Sequence, residues 1–591
     1  MSAAPSPAPF QPAGARVFER PDVHAGDRPA GASFASRSAA LGLSGAAASA
    51  HPIATLIGIE ILKKGGSAAD AAIAVNACLG FLEPTGCGLG GDCYVLLWDP
   101  KLGEVVGLEG SGRSPQGLSL EAVRERSAGG SIAMWGAITV SVPGAVDAWW
   151  TLHQRYGRLP WAQLFEPAIA LCETGAPVAQ IVGRYLKGNL TAFSRAGSGV
   201  EETANANHVF APGGSAPIEG DVFRNPDLAR TYRMIAEGGR EAFYDGPIAE
   251  AIEAYFKRIG GWMTRADLAR HRAVWNAPQV TSYRGVDVYS IGANTQGLAT
   301  LQALNILEHF DLRAAGFQSP LSIHLQIEAK RLAYEDRARY YADPDFARAP
   351  IEYLNSKAYA AERAALIRPD RINADVRPGQ APSNGDTTYF TTADADGLMV
   401  SMIQSNFRGM GSGLVPDAPG AGDDWKTLGF MFQNRGQLFS LQPGHPNLYA
   451  PGKRPFQTII PGFATRDGAP WMSFGVMGGD MQPQGQSQII INRVDYGLDL
   501  QAAGDSPRWR HEGSSQSMGE DPPGLGPLGA LRLEGGVPAA TREALAAMGW
   551  PMAPSDGSLG RYHGIEYAMK GSDRVWSAAS EMRADGLALA Y

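Results

Sequence analysis

The chain has 591 residues, with 51 Lys and Arg against 59 Asp and Glu and a net charge of -8. Its hydrophobic fraction of 44% and charged fraction of 19% are typical of a globular protein with a sizeable core, in one large or two closely associated domains. No dense basic run offers a phosphate-binding stripe, so a nucleic-acid partner is not expected. Four cysteines are too few for a disulfide framework, and they are expected to be reduced.

Residues 1–35 are rich in Ala, Pro and Gly and are expected to form a flexible arm. They lack the basic n-region and Leu-rich h-region of a secretory signal, which favours a cytoplasmic location, with a periplasmic or secreted protein as the alternative. The most apolar stretch, residues 68–82, contains Asp70 and Asn76 and is shorter than the ~20 residues of a membrane span. No transmembrane segment is expected.

The first regular elements are predicted directly after this arm. Residues 51–66 repeat apolar side chains at helical spacing and end on a Gly-Gly pair, which predicts a helix. Ser67 and Asp70 have the spacing of a capping box, and the second helix that they open is so apolar that it must be buried. Two strands are predicted near residues 94–98 and 104–108.

The middle of the chain, residues 143–366, is predicted to be mostly helical from its apolar period. Residues 367–386 are polar and rich in Pro, Gly, Asn and Asp, which is typical of an exposed linker. This linker runs directly into residues 387–394 and 397–405, which are predicted to be two strands joined by a turn. Strands and Gly-rich turns are expected to continue to about residue 488, followed by one helix and short strands.

Residues 86–91 match the GxGxxG spacing of a dinucleotide fingerprint, but that fingerprint follows a strand and opens a helix, whereas this segment precedes a strand. A nucleotide site is therefore not expected. No HExxH or GxSxG occurs, and the ten His residues are scattered without the spacing of metal ligands. The sequence predicts neither a metal nor another cofactor.

The junction between the linker and the first of these strands contains a candidate nucleophile. A Thr hydroxyl is a poor nucleophile unless a base lies beside it, and a free α-amino group on the same residue has an unperturbed pKa near ~7.7–8.0. Cleavage of the Asp386–Thr387 bond would give Thr387 its own base. Taken alone, the same pattern also fits an ordinary Thr-rich strand.

Across residues 36–591 the chain resembles the γ-glutamyltranspeptidases. The resemblance is carried by ordered stretches such as HPIATLIGIEILKKGGSAADAAIAV, GCGLGGD, VPGAVDAWW, DTTYFTTADADG, GKRP and VDYGLDLQAAGDSPRW. It implies an α/β fold of the N-terminal nucleophile hydrolase type, a four-layer αββα sandwich with helical elaboration. It also implies a precursor cut into a large subunit, residues 36–386, and an associated small catalytic subunit, residues 387–591.

The resemblance further implies the catalytic roles. Thr387 would attack the amide carbonyl, and the backbone N–H groups of Gly478 and Gly479 would hold the oxyanion, since a backbone without Cβ can approach the reacting carbonyl closely. Ser405 falls where the family has a Thr that hydrogen-bonds the nucleophile. The plain structural alternatives are a Gly-Gly turn between elements and a Ser in a strand.

Departures from the family pattern fall on the positions that recognise the acyl group. Family transpeptidases hold the α-carboxylate of a γ-glutamyl group with an Arg and a Ser-Ser pair, and its α-amine with an Asp and an Asn. In this chain the Arg position carries Ser111, with Arg113 two residues on, and the Ser-Ser pair is Gln457-Thr458. The Asp position carries Gln437.

The Asn position carries Phe407, with Asn406 adjacent. The candidate substrate-binding residues are therefore Arg113, Asn406, Gln437, Gln457 and Thr458. Arg113 or Arg408 could pair with a substrate carboxylate, or either could be a solvated surface charge. Because a buried ammonium group without its carboxylate is costly, the loss of the Asp argues against a zwitterionic glutamyl group.

The sequence therefore predicts an autoprocessing amidohydrolase or acyltransferase of the γ-glutamyltranspeptidase family that cleaves a small carboxylate-bearing amide through a threonyl acyl-enzyme. The departures resemble the acylase-like branch, which includes cephalosporin acylase-like and oxamate-hydrolysing members. True glutathione hydrolysis is one alternative. An uncleaved, non-catalytic binding protein is another.

Overall fold

A computed structural model describes residues 37–127, 130–373, 376, 388–422, 424–514, 516, 518, 525–555, 557 and 559–591. The predicted arm, residues 1–35, lies outside the described residues. So do the end of the predicted linker and, with it, Asp386 and Thr387.

The helices and strands are numbered in chain order. Helices α1 to α18 span Pro52–Lys63, Ala68–Leu82, Leu120–Glu125, Ala145–Tyr156, Glu166–Thr174, Gln180–Phe193, Ala204–Phe210, Pro226–Tyr244, Pro247–Ile259, Arg265–Ala269, Gly297–Leu307, Leu312–Ala315, Pro320–Tyr340, Ile351–Leu354, Lys357–Ala364, Met481–Val494, Leu500–Asp505 and Ala539–Ala547. Strands β1 to β19 span Ala40–Gly42, Ala46–Ser49, Asp92–Asp99, Glu104–Gly110, Ala176–Pro177, Val222–Phe223, Val274–Asn276, Gln279–Tyr283, Val286–Ser290, Thr388–Ala393, Met399–Ser405, Gly462–Arg466, Ala469–Val476, Trp509–Glu512, Ala530–Leu533, Met552–Ala553, Tyr562–Lys570, Asp573–Ser580 and Leu587–Ala590.

Two seven-stranded antiparallel sheets form the centre of the molecule. The first has the order β19-β2-β10-β11-β3-β4-β7, and the second has the order β1-β18-β17-β13-β12-β9-β8. Strands β10 and β11 of the first sheet lie against β13 and β17 of the second. Helices α1 and α2 cover the first sheet, while α11 and α16 cover the second. The predicted four-layer αββα sandwich is confirmed.

Helix α2 shows how the sequence specifies one of these layers. It begins at the predicted capping box, in which the Asp70 N–H donates to Ser67 Oγ at 3.1 Å and the Ser67 N–H donates to Asp70 Oδ2 at 2.9 Å. All fifteen residues of the helix are buried. The Ala68 N–H also donates to Asp394 Oδ2 at 3.0 Å, which ties the start of the helix to the turn after β10.

The predicted hairpin after residue 387 is confirmed. Strands β10 and β11 pair from Thr388 opposite Gln404 to Ala393 opposite Met399. The strands predicted near residues 94–98 and 104–108 are also present, as parts of β3 and β4. All four cysteines are buried and free, in agreement with the expectation that they are reduced.

The secondary-structure prediction missed short strands in the mostly helical middle of the chain, and it missed the start of α16. The middle of the chain is largely helical, but it also contributes β7, β8 and β9 to the two sheets, and these are short strands between stronger helical patterns.

Helix α16 begins before residue 488, where strands and turns were expected. Its Pro483 and Gly485 disfavour a helix, yet Pro483 lies in the first turn, where its missing N–H is tolerated. A Cβ on Gly485 would lie 2.5 Å from Val476 Cγ1, so this glycine permits close packing on β13.

The contact between the two sheets requires a glycine on β13. A Cβ added to Gly475 would lie 2.3 Å from Cδ2 of Tyr389 on β10, which leaves no room for a methyl group. We expect Gly475→Ala to destabilise the fold by about 1–3 kcal/mol or to prevent folding, because overpacking forces buried side chains from their rotamers. The melting temperature measures this effect. Gly213→Ala is the control, since its added Cβ meets nothing within 4 Å. Equal melting temperatures for the two variants would contradict the prediction.

Candidate active site

The start of β10 and the end of β11 define one end of the first sheet. Thr388, the residue after the predicted nucleophile, is the first residue of β10. Ser405 is the last residue of β11 and pairs with Asp92 on β3. Ser405 is fully buried, and its Oγ accepts the N–H of Phe407 at 2.8 Å. The hydroxyl of Ser405, which was predicted to hydrogen-bond the nucleophile, therefore lies on β11, next to the start of β10.

A carboxylate from the end of α2 contacts the start of β10. Glu83 is buried, and its Oε2 accepts a hydrogen bond from Thr388 Oγ1. Its Oε1 accepts from Arg561 Nη1 at 2.5 Å. Sequence reasoning missed both Glu83 and Arg561, although a carboxylate directly after a wholly apolar helix was a signal that Glu83 is buried.

The Gly478-Gly479 turn lies between β13 and α16. Both glycines have positive φ, at 109° and 58°. The Gly478 carbonyl accepts from the Met481 N–H at 3.0 Å, and the Gly479 carbonyl accepts from the Gln482 N–H at 3.2 Å. Because the carbonyl and N–H of one trans peptide point in opposite directions, the Gly479 N–H points away from α16.

Among the backbone hydrogen bonds of the described residues, neither the Gly478 nor the Gly479 N–H is a donor. Two N–H groups presented by one turn are the kind of donors that an oxyanion hole requires. The predicted role fits this geometry and stays a prediction.

A buried ion pair lies beside Ser405. Arg435 Nε is 3.3 Å from Asp92 Oδ2, and neither side chain is exposed. Arg435 also donates from Nη1 to Thr458 Oγ1 at 3.2 Å and from Nη2 to the Ser405 carbonyl at 3.4 Å. Its guanidinium lies 5.2 Å from the centre of the Phe407 ring. A single cation thus contacts four of the residues around the predicted site.

Glutamine amides complete the environment of Asp92. Gln457 Nε2 donates to Asp92 Oδ2 at 2.8 Å and to Ser111 Oγ at 2.7 Å. Gln433 Nε2 donates to Asp92 Oδ1 at 3.0 Å. Ser111 and Gln457, at two of the family's carboxylate-binding positions, therefore bond to each other, and Gln457 also bonds to an internal carboxylate.

Burial dominates the electrostatics of this pair. It raises the pKa of Asp92 to about 6, against the opposing effect of the Arg435 charge and the hydrogen bonds. It also lowers the pKa of Arg435 to about 10, against the effect of Asp92. At neutral pH both groups are charged, and the pair has no net charge.

The remaining predicted substrate-binding residues divide into two kinds. Gln437 lies in a short 3-10 helix, and its Oε1 is buried without a hydrogen-bond partner among the described residues. Asn406 instead holds backbone segments together, since its Nδ2 donates to the Met410 carbonyl at 3.0 Å. The side-chain oxygens of both residues, Gln437 Oε1 and Asn406 Oδ1, are buried without a hydrogen-bond partner among the described residues, so either could accept a hydrogen bond from a ligand.

Arg113 lies in a separate ionic cluster. Its Nη1 is 3.3 Å from Asp343 Oδ2 and its Nη2 is 2.5 Å from Asp345 Oδ2. The side chain of Arg113 is 35% exposed, so its charge is both paired and partly solvated. Arg408 is not a solvated surface charge, because its guanidinium is largely buried. This burial lowers the pKa of Arg408 to about 10.

The Gly-rich segment of residues 86–91 serves close backbone packing. A Cβ on Gly90 would lie 2.2 Å from the Met431 carbonyl oxygen, and one on Gly91 would lie 2.2 Å from Gln404 Nε2. The segment leads into β3, as the sequence predicted. In the described ranges, no cluster of three or more His, Cys, Asp or Glu side chains could hold a metal ion. None of the described helices combines the length and apolar character that crossing a membrane requires.

A four-layer αββα sandwich with this site at the end of its central strands defines an N-terminal nucleophile hydrolase fold. The family model for γ-glutamyltranspeptidase matches residues 54–591, and the chain belongs to this family of enzymes.

Curated relatives of the chain carry two kinds of name. The glutathione hydrolase-like YwrD proenzyme of Bacillus subtilis is 38% identical over 78% of this chain and 84% of its own length. The glutathione hydrolase proenzyme of Escherichia coli is 31% identical over 87% and 89%. An acylase ACY 1 proenzyme of Pseudomonas sp. (strain SE83) is 32% identical over 91% and 92%.

Solved structures show the same division. The cephalosporin acylase from Bacillus halodurans superposes with a TM-score of 0.83 at 38% identity, covering 94% of this chain and 97% of its own. The Helicobacter pylori γ-glutamyltranspeptidase superposes with a TM-score of 0.51 at 32% identity, covering 57% of this chain and 95% of its own.

Asp92 should give the protein a measurable pH dependence. Its pKa is raised from 3.8 to about 6, so its contribution to stability is fully present below pH 4 and is lost as the pH rises through 6. A shift of this size corresponds to about 3 kcal/mol. Asp92→Asn does not titrate. We therefore expect the melting temperature of wild type to fall relative to that of the variant between pH 4 and 7.

The control for this experiment is Asp396→Asn, because the Asp396 side chain is 70% exposed. A difference in melting temperature between wild type and Asp92→Asn that stays constant from pH 4 to 7 would show that Asp92 is not the titrating group.

Proposed function

We propose that the protein is a self-cleaving amidohydrolase or acyltransferase that acts through an acyl-enzyme on Thr387. In sequence, Thr387 directly precedes Thr388, the first residue of β10. The observation that carries the proposal is the placement of Ser405 beside the start of β10. In this proposal the precursor gives a large chain, residues 36–386, and a small chain, residues 387–591, which stay associated.

The proposed reaction needs only groups of the chain and water. The α-amine of Thr387 takes the proton from its own hydroxyl as Oγ attacks the amide carbonyl, and the N–H groups of Gly478 and Gly479 stabilise the oxyanion. Collapse of the tetrahedral intermediate breaks the C–N bond, and the proton passes to the leaving amine. Water, or an amine acceptor, then attacks the ester and releases Thr387.

The described side chains support an acyl group without an α-amine. Gln437 carries no charge to pair with an ammonium group, and Phe407 offers no hydrogen-bonding side chain. The carboxylate of Asp92 is already paired with Arg435. A buried ammonium group would therefore enter without a counter-ion, which is costly.

The same region supports a carboxylate elsewhere on the acyl group. The guanidinium groups of Arg408 and Arg435 each lie within 6 Å of the Phe407 ring, at 5.6 Å and 5.2 Å. We propose small carboxylate-bearing amides as substrates, in keeping with the acylases among the relatives, with glutathione hydrolysis as the second candidate.

Processing at Thr387 can be tested on a denaturing gel with N-terminal sequencing. We expect wild type to split into two chains, the smaller beginning at Thr387. Thr387→Ala should stay intact and inactive, because it removes the oxygen that attacks the Asp386 carbonyl. Thr387→Ser is the matched control, since it keeps a hydroxyl and should split. Cleavage at the same bond in Thr387→Ala would show that the nucleophile is another group.

Acyl specificity can be tested with a glutaryl amide and a γ-glutamyl amide that share one chromogenic leaving group. We expect kcat/KM of the mature enzyme for the glutaryl amide to equal or exceed that for the γ-glutamyl amide, because Gln437 imposes no penalty for a missing amine. In Gln437→Asp the ratio should shift toward the γ-glutamyl amide. A wild-type preference of ~100-fold or more for the γ-glutamyl amide, about 2.7 kcal/mol, would instead identify glutathione hydrolysis as the function.

A further inference from the structure

The side chain of Gln296 joins two segments of the proposed active site. Gln296 directly precedes α11 and is fully buried. Its Nε2 donates to the Thr458 carbonyl at 2.6 Å and to the Gly479 carbonyl at 2.7 Å. Its Oε1 accepts from Arg337 Nη1 at 2.9 Å. A primary amide has two N–H donors and a carbonyl acceptor, and each of these has a partner here.

These partners also fix the orientation of the amide. A flipped side chain would place its oxygen against two carbonyl oxygens and its nitrogen against a guanidinium, which would be repulsive at all three contacts. The position of Gln296 is therefore determined by charge complementarity as well as by packing. The main chain adds a further bond, because the Gln296 N–H donates to the Gln457 carbonyl at 3.1 Å.

The guanidinium that holds Gln296 is itself held in place. Arg337 lies on α13, and its Nη2 donates to Gln516 Oε1 at 3.0 Å. Its guanidinium is 3.9 Å from the centre of the Tyr334 ring, and the Tyr334 hydroxyl donates to the Asp480 carbonyl. Asp480 follows Gly479, so α13 contacts the end of the Gly478-Gly479 turn directly through Tyr334 and is linked to Gly479 from Arg337 through Gln296.

We infer that Gln296 is a positioning residue that sets the distance between the Gly478-Gly479 turn and the Gln457-Thr458 segment. The turn would supply the oxyanion donors, and the segment belongs to the acyl region, the residues proposed to receive the acyl group (Phe407, Arg408, Arg435, Gln437, Gln457 and Thr458). This role therefore rests on the proposed function. Both glycines have positive φ and no side chains to restrain them. The hydrogen bond from Gln296 to the Gly479 carbonyl adds a side-chain restraint to the backbone bonds that the turn makes with Met481 and Gln482.

A buried glutamine with a purely structural role provides the comparison. Gln302 lies on α11, is also buried, and donates from Nε2 to Asp336 Oδ2 at 2.8 Å while its Oε1 accepts from the Tyr341 hydroxyl. Its amide joins two side chains at the C-terminal end of α13 and not the Gly478-Gly479 turn. Replacing each glutamine by Met removes similar hydrogen bonds with a small change in volume.

The experiment measures kcat and KM of Gln296→Met and Gln302→Met for the glutaryl amide, per molecule of processed enzyme, together with melting temperatures. For Gln296→Met we expect kcat to fall by about 10- to 100-fold, because a displacement of about 1 Å in a catalytic group costs on that order. Gln302→Met should keep the wild-type kcat, even if its melting temperature falls as far as that of Gln296→Met.

Gln296→Glu is a second variant, for the case that Gln296→Met does not fold. Its carboxylate keeps the partner Arg337 but faces the Thr458 and Gly479 carbonyls with no hydrogen to donate, so kcat should fall at least as far. If kcat of a folded Gln296 variant stays within twofold of wild type, or falls no further than that of Gln302→Met, the positioning role is wrong. A wild-type protein that is processed but cleaves neither amide would instead contradict the proposed function and, with it, the premise of this role.

Discussion

The buried ion pair between Asp92 and Arg435 is the interaction on which the acyl region depends. Removing two such ions from water costs several kcal/mol for each, and their attraction offsets this only when the remaining donors and acceptors are satisfied. Gln433 and Gln457 donate to the carboxylate, and Arg435 donates to Thr458. Loss of either ion would leave the other buried without its partner. The residues that differ from the family's glutamyl-binding pattern therefore depend on the ion pair, because Gln457 occupies one of those positions and also donates a hydrogen bond to Asp92.

The strand order of the two sheets explains how the two chains of a cleaved precursor could stay associated. The first sheet combines strands from before residue 386 with β10, β11 and β19 from after it, and β10 lies directly between β2 and β11. Side chains cross the same boundary, as in the bond from Thr388 to Glu83 and the bond from Ala68 to Asp394. Breaking one peptide bond before Thr387 would leave all of these contacts intact. The association proposed for the two chains thus follows from strand order.

The sequence predicted the elements whose patterns are local and strong. The capping box at Ser67, the apolar helix that follows it and the hairpin from Thr388 all formed where expected, because each depends on neighbouring residues. Gln296, Asp92 and Arg435 could not be predicted in this way. Each bonds to groups more than a hundred residues away, and a buried polar residue looks the same in sequence as an exposed one. The resemblance to a family pointed to Ser405 and the Gly478-Gly479 turn, whereas the pairing of Arg113 with Asp343 and Asp345 could not be predicted from it.

The contacts around β10 also fall into two groups with different proposed roles. At its start, Glu83 and Arg561 hold Thr388, and therefore bear on the position of the residue bonded to it. Across β11, Arg435 holds Thr458 and the Ser405 carbonyl, and therefore bears on the surface that an acyl group meets. The two cations belong to segments far apart in sequence and act on different strands. The start of β10 and the residues around Arg435 are thus held by separate contacts, in a chain whose relatives include proteins named as glutathione hydrolases and proteins named as acylases.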